Sequence, residues 1–430
     1  MLGWMILNNH PSQHFSFIIK RKTSQCQSRK QTTRRSHQMH SHYINKLLNI
    51  EDVIVRKIIH ADDFVKIYLE TKPREQIYPC CGSTTKRIHD YRQQTIKDLP
   101  FQLKYCYLVL KKRRYVCKCG KRFYETYSFL PKYFQRTSRL TSFIASTLHN
   151  SQSLKETARQ TNVSTATVGR ILDTISYSRG KFSNTLAIDE FRGNASTGKF
   201  QCILVDPIKH KVLDILPDRK HNHLVTYFSS IPKDERHRVK HFVCDMWKPY
   251  VELAHSYFPN AEVIIDKYHF IRQTTWAIEA VRKRLQKTMP ARLRKYYKRS
   301  RTLILTRYHK LKGDSKKACD LMLLYNDDLR YAHFLKEKFY EICQNPKYSE
   351  QRKDFFDWIK MAESSGLDEF EKVARTYRTW SKEILNAFKY AHITNGPTEG
   401  FNNKIKVLKR TSYGIKNFQR LRTRIFLVTN

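Results

Sequence analysis

Between residues 184 and 270 the apolar pattern changes from segment to segment in an order that few folds accept. "NTLAIDEF", "KFQCILVDP" and "HKVLDILPD" are short runs rich in Ile, Leu, Val and Phe and read as three strands. "HNHLVTYFSSIP" is helix-like, "VKHFVCDM" is a fourth strand, "KPYVELAHSYFP" is helix-like and "AEVIIDKYHF" is a fifth strand. Three strands, helix, strand, helix, strand is the order of an α/β domain built on one sheet.

The same stretch carries carboxylates where the sheet would gather them. Asp189 lies near the end of the first strand and Asp245 at the end of the fourth. If these strands are neighbours, their C-terminal ends bring both carboxylates together. Leu186, Ile188, Phe242 and Val243 surround them, so two like charges would sit in apolar company at high cost. A divalent cation resolves that conflict, and Mg²⁺ takes carboxylate oxygens, water and phosphate. A third carboxylate would complete a two-metal site, with ions about 3.5–4 Å apart, able to activate a water or a 3′-hydroxyl. Glu190 alternates to the opposite face of its strand. Asp266 ends a strand as Asp245 does; with His269 it either supports the site, caps the next helix or substitutes as a ligand. Trp247 and Tyr250 either pack in the core or stack on a base.

The third acid comes from "HITNGPTEGFNNKIKVLKRTSYG", where Glu399 is the only carboxylate after Glu383. Pro397 suits the first turn of a helix. Steps of four, three and four put Glu399, Asn403, Lys406 and Arg410 on one face, while Phe401, Ile405 and Leu408 share the other and would pack on the sheet. One metal-binding acid followed by Lys406 and Arg410 suits a scissile phosphate. The plain alternative is a first-turn Glu favoured by the helix dipole.

Charge points the same way. The 430 residues hold 81 Lys and Arg against 38 Asp and Glu, a formal +43 spread along the chain. Self-repulsion makes that costly unless a polyanion is the partner, and nucleic acid is the commonest one. No apolar run approaches the eighteen or so residues of a membrane span, and the opening residues do not read as a signal peptide. Residues 1–38 lack periodicity and read as a disordered extension, with Met39 the expected natural start; a basic DNA-binding arm is the alternative.

Three further segments complete the organisation. Residues 39–130 alternate as short strands and contain Cys80, Cys81, Cys117 and Cys119 in two knuckle-like turns with Gly following. Tetrahedral zinc wants four such ligands. Tyr78 stands where a CPxC knuckle would begin, so Cys81, Cys117 and Cys119 need a fourth partner such as Cys80 or His89; buried free thiols are the alternative. Residues 131–180 include "SLKETARQTNVSTATVGRILD", which matches a helix-turn-helix. There Asn162 makes the turn, Ser164 caps the second helix, Val168 and Ile171 face inward, and Ser164, Thr165, Thr167 and Arg170 are free to meet DNA. An ordinary helical hairpin is the bland reading. From 271 to 391 strand signals vanish and a helical region follows.

"AIDEF", "VCDMWKPY", "PNAEVIIDKYHF" and "NGPTEGFNNKIKVLKRTSYG" resemble the DDE insertion-sequence transposases of the ISL-three family, from about Met39 to the C-terminus. The resemblance implies an α/β multidomain protein with an RNase H-like catalytic core in two parts, 181–270 and 392–430. Residues 271–391 would then be a helical insertion, and a zinc-ribbon-like domain and a helix-turn-helix would precede the core. It implies a catalytic triad of Asp189, Asp245 and Glu399 holding Mg²⁺, with zinc at the cysteines. It further implies double-stranded DNA partners (terminal repeats and target), a homo-oligomer as the active complex, and a bacterial, cytoplasmic, nucleoid-associated setting. The rival reading is a non-catalytic DNA-binding regulator using the same front half. An RNase H-like nuclease without strand transfer is the third.

Overall fold

The structure is a computed structural model, and it describes residues 45–193, 196–299 and 301–430. The expected extension 1–38 and the start at Met39 lie outside the described residues. The chain divides into two compact units, one of residues up to Ile96 with Tyr107–Phe129, the other of Lys97–Cys106 with Leu130–Asn430.

β1 (Val53–His60), β2 (Phe64–Thr71), β5 (Ile88–Phe101), β6 (Lys104–Val116) and β7 (Arg122–Tyr124) form a five-stranded sheet in the order β1-β2-β6-β5 with β7 beside β6, of which the hairpin end Lys97–Cys106 belongs to the second unit and the rest to the first; β3 (Gln76–Ile77) pairs with β4 (Thr84–Thr85). β5 has no clear signal in the sequence. Its fourteen residues are mostly polar, because one face of an antiparallel sheet can be solvated, and only alternate positions near its end are covered. Its hairpin partner β6 follows through Gln102 and Leu103, both at positive φ (50° and 63°) without the Asn or Gly that usually marks such a turn.

From Leu130 the second unit continues with three helices, α1 (Ser138–Thr147), α2 (Leu154–Gln160) and α3 (Thr165–Asp173). Each starts on a hydroxyl cap: Thr137, Ser153 and Ser164 accept the backbone N–H three residues on. Asn162 turns α2 into α3 at φ +53°. Ala158, Val168, Ile171 and Leu172 close a small core.

A five-stranded sheet follows, built from β8 (Thr185–Arg192), β9 (Phe200–Asp206), β10 (Lys211–Leu216), β11 (His241–Cys244) and β12 (Glu262–Ile265) in the order β10-β9-β8-β11-β12. The first three are antiparallel; β11 runs parallel to both β8 and β12. The helices α4 (His221–Ser229), α5 (Lys233–His237) and α6 (Lys248–Tyr257) connect them. Only the short α5 is absent from the expected order.

After β12 the chain is helical through α7 (Lys267–Thr288), α8 (Ala291–Arg299), α9 (Arg301–Leu305), α10 (Gly313–Tyr325), α11 (Asp327–Gln344), α12 (Tyr348–Glu363), α13 (Asp368–Thr379) and α14 (Ser381–Lys389). α15 (Gly396–Thr411) returns to the sheet, laying Phe401, Ile405 and Leu408 against it. Burying each side chain contributes roughly 1.5–3 kcal/mol. α16 (Phe418–Thr429) ends the chain and ties the sheet to the three-helix segment. Arg422 pairs with Asp214 of β10 at 2.8 Å. The buried Arg424 donates to the carbonyls of Leu148, Asn150 and Gln152. Nothing in "RIFLVTN" announces that role, because a buried Arg is legible only once its partners are known.

Candidate active site

The parallel register aligns the aspartates. Val243 of β11 pairs with Ala187 of β8, and Cys244 pairs with Ile265 of β12. Continuing both ladders sets Asp245 level with Asp189 on one side and with Asp266 on the other. The Asp266 N–H still donates to the Cys244 carbonyl at 3.0 Å, so the ladder reaches that level. Three carboxylates from residues far apart in sequence therefore form a row at one end of the sheet.

α15 completes the surroundings. Asp189, Asp245, Asp266, His269 and Glu399 line one cavity of about 480 Å³, with Asn395, Asn402, Lys406 and Lys409 among its other walls. Asn402 Nδ2 donates to Asp189 Oδ2 at 2.8 Å, and the Glu190 N–H donates to Asp189 Oδ1 at 2.7 Å. His269 Nε2 lies 2.9 Å from Asp245 Oδ1 and 4.0 Å from Asp266 Oδ2. The 2.9 Å pair is within ion-pair reach but misaligned, so Asp245 Oδ1 is buried without a hydrogen bond. Asn395 Oδ1 and Asn402 Oδ1 are also buried and unpartnered.

The electrostatics follow from crowding. Burial, then the charge of Asp245, pushes the Asp189 carboxyl up to about 7. Burial also raises Asp266, with His269 pulling the other way and Asp245 adding to the rise. Burial opposes protonation of His269, but its closeness to Asp245, then Asp266 and Asp189, outweighs that and raises it. A polar, oxygen-rich cavity with crowded carboxylates and unused oxygens is the environment a hard divalent cation fits. Asp245, Asp266 and His269 each offer an atom within 4.8 Å of one another.

The expected face of α15 is rotated. Glu399 and Lys406 line the cavity, but Asn403 and Arg410 do not; Asn402 and Lys409 take those places. At 100° per residue the lining face is turned roughly 50° toward the buried flank. The helix lies on its Phe401–Ile405–Leu408 side, so the aspartate row meets its flank. Lys409 Nζ also donates to the Arg192 carbonyl at the end of β8. Glu190 is held by Arg219 at 2.6 Å. Tyr250 is buried, its hydroxyl 3.4 Å from Cys202 Sγ, and Trp247 packs edge-on against it, so Tyr250 belongs to the core. Asp266 stands at the start of α7 without a capping hydrogen bond from its side chain.

On the second helix of the helix-turn-helix, Ser164 caps α3 and also meets the Thr167 hydroxyl at 2.9 Å. Arg170 donates to Thr167 Oγ1 at 3.0 Å, and Ser164, Thr165 and Arg170 are exposed. Lys97, Arg136, Ser164, Thr167 and Arg170 share a groove of about 670 Å³ beside α3.

The cysteines gather incompletely. Cys81 Sγ lies 3.3 Å from Cys117 Sγ and 3.9 Å from Cys119 Sγ. Gly82 and Gly120, both at positive φ, make the two turns. Cys80 is outside this group. Cys80 lies close to Tyr78 instead, and its nearness helps push that phenol up to about 12. His89 pairs with Asp90 at 3.0 Å. Neither of the expected fourth ligands joins the three sulfurs.

Comparison with known proteins gives consistent matches. Residues 186–425 match the transposase model of family ISL3, and residues 125–176 match the helix-turn-helix domain of that family. Residues 79–119 match the zinc-finger of transposase IS204/IS1001/IS1096/IS1165, a match that begins just after Tyr78. The transposase for insertion sequence element IS1001 of Bordetella parapertussis is 25% identical over 364 residues, covering 82% of this chain and 88% of that protein. An ATP-dependent protease of Lactococcus lactis subsp. lactis is 29% identical over 90 residues, 20% of this chain and 29% of that protein.

Proposed function

The chain belongs to the ISL3 family of insertion-sequence transposases, and we propose that it cuts and joins DNA at a site formed by Asp189, Asp245 and Glu399. One observation carries the reading: crowded, half-buried carboxylates from the ends of β8 and β11 share a cavity with the lone acid of α15, and burial and mutual repulsion raise the cost of their charge. A DNA-binding regulator has no use for that costly arrangement. On this reading the β8–β12 sheet with α15 is an RNase H-like core, and the helices between Lys267 and Lys389 are a helical insertion in it. The zinc-ribbon-like segment and the helix-turn-helix ahead of the core bind DNA, with zinc expected at Cys81, Cys117 and Cys119.

Mg²⁺ bound by Asp189, Asp245 and Glu399 would activate an attacking oxygen and stabilise the leaving one. The chain's own residues do the rest. Asn402 holds the Asp189 carboxylate in one orientation through its Nδ2. Lys406 and Lys409, on the same wall of the cavity, neutralise and position the phosphate, and Arg272 extends that cationic rim. In the first step water adds to the phosphorus and the P–O3′ bond breaks, freeing a 3′-hydroxyl on the element. In the second, that hydroxyl attacks a target phosphate and loses its proton to water, while a target strand's 3′-oxygen leaves. Thr165, Thr167 and Arg170 read terminal DNA, and the active complex holds more than one copy.

Purified wild-type and Asp189→Asn proteins, given labelled element ends in Mg²⁺, test this directly. Wild type should give cut and joined products. The variant should bind with nearly unchanged affinity and give neither. Cutting by the variant would remove Asp189 from the site; cutting without joining by wild type would leave only a nuclease.

A further inference from the structure

Residues 280–313 hold 13 Lys and Arg and no Asp or Glu. The fold uses some of this charge internally. Glu279, the acid just before this run, is covered on α7 by Arg282 at 2.9 Å, by Arg301 of α9 at 2.9 Å and by Lys283 at 3.7 Å. Arg282 is buried and also donates to the Tyr297 carbonyl, and Gln286 donates to the Arg294 carbonyl, so α8 is folded back on α7. The remainder is unspent. Lys283, Lys287, Arg294, Lys295 and Lys298 are exposed and line a groove of about 570 Å³ between the two helices. Among the described residues, Lys287, Arg294, Lys295 and Lys298 reach no carboxylate.

This groove is at one end of α7, and the carboxylate cavity is at the other. Tyr268, His269 and Arg272 line the cavity. Eighteen residues separate His269 from Lys287, about 27 Å of helix. On the same side of the helix between them, Glu279 is buried and covered by Arg282, Lys283 and Arg301, and exposed aromatic and basic side chains flank it. At 100° per residue, Tyr268, Arg272, Trp276, Lys283 and Lys287 fall within one stripe about 100° wide. Arg272 stacks on Trp276 at 4.0 Å and faces Tyr268 at 5.7 Å. Both rings are half or more exposed, at 50% for Trp276 and 59% for Tyr268. An exposed aromatic pair bridged by Arg is a platform for a sugar or base, and the lysines beyond suit phosphates.

We propose that this stripe of α7, closed at its far end by α8, is a DNA-backbone track that carries duplex away from the carboxylate cavity. A membrane surface fits poorly, because the groove itself offers no large apolar side chain to insert. The lysines are point charges without the paired hydrogen bonds that read base edges, so the track is indifferent to sequence. Its length corresponds to roughly 8 base pairs at 3.4 Å per step. The proposal rests on the assigned carboxylate cavity being where DNA is cut.

The test uses the full chain with Lys287, Lys295 and Lys298 replaced by Ala, and a second variant with all three replaced by Arg. Binding to random duplexes of increasing length is measured across a salt series. Wild type should gain affinity as about 8 base pairs are added, and the Ala variant should lose most of that gain. Its plot of log affinity against log salt should be shallower by about 2–3, at about 0.9 per lost phosphate contact. The Arg variant should restore both, which a merely misfolded protein would not. An unchanged slope and length dependence in the Ala variant overturns the track, as does binding to anionic vesicles in preference to duplex. Asp189→Asn, tested in parallel, should keep the wild-type length dependence. A track that persists while that variant still cuts would sink the cavity assignment and leave the basic surface standing.

Discussion

The aspartate row and the cysteine cluster both gather metal-binding groups, but by different means. Asp189, Asp245 and Asp266 come from three strands, and hydrogen-bonded register puts them level although 77 residues separate the first from the last. Cys81, Cys117 and Cys119 come from two tight turns whose glycines let the chain double back. A sheet is a stiff ruler, and losing one side chain leaves the others aligned. A turn-built cluster depends on each ligand, because ligand binding itself holds the loops. Tyr78, standing where a CPxC knuckle would begin, therefore bears on the whole cysteine cluster.

The contrast can be broken most sharply by Asp245→Asn. Cleavage should fall by more than about 100-fold, comparable to losing a principal charge-stabilising group, while the thermal midpoint stays within a degree or two. Cys81→Ser should do the reverse, lowering the midpoint and zinc content. Equal loss of cleavage in both variants, at DNA concentrations that saturate binding, would mean the two clusters are not independent.

A smaller effect sharpens the comparison from the other side. Tyr78→Cys supplies the thiol that the knuckle lacks, three residues before Cys81 in the turn closed by the Gly82 N–H donating to the Tyr78 carbonyl at 3.0 Å. Zinc affinity should rise more than about tenfold, since a fourth protein ligand closes the tetrahedron. Competition with a coloured chelator would read it. No change would mean that position 78 cannot reach the metal, and that the fourth ligand comes from elsewhere.

The smallest expected change concerns the orientation of one carboxylate. Asn402→Ala removes the donor to Asp189 Oδ2 and should cut the cleavage rate by about tenfold, a usual cost for losing such a supporting contact. The Mg²⁺ concentration for half-maximal rate should rise, with DNA affinity unchanged. Asn402→Gln should be no better, since its longer side chain cannot occupy the same gap. If the metal dependence stays put, Asn402 packs the helix and does not orient Asp189.

Much was legible before the fold was known, wherever the signal was local. The succession of strands and helices from 184 to 270, the Asn162 turn, the Ser164 cap and the Pro397 helix start each depend on neighbours within a few residues. So do Phe401, Ile405 and Leu408, whose spacing alone fixes which side of α15 is apolar. β5 is not legible in the same way, because a half-solvated strand with an unmarked turn has no strong local pattern.

Tertiary structure decided the rest. Whether Asn402 or Asn403, and Lys409 or Arg410, faces the aspartates depends on how α15 rolls on the sheet, about half a residue's turn that spacing cannot resolve. The sequence contains Arg424, but only the packed fold sets its guanidinium against three carbonyls that lie more than 270 residues earlier. Periodicity reports which face of an element is apolar, because that is a property of one segment. Which atoms meet across elements depends on register, roll and long-range closure, which belong to the packed chain as a whole.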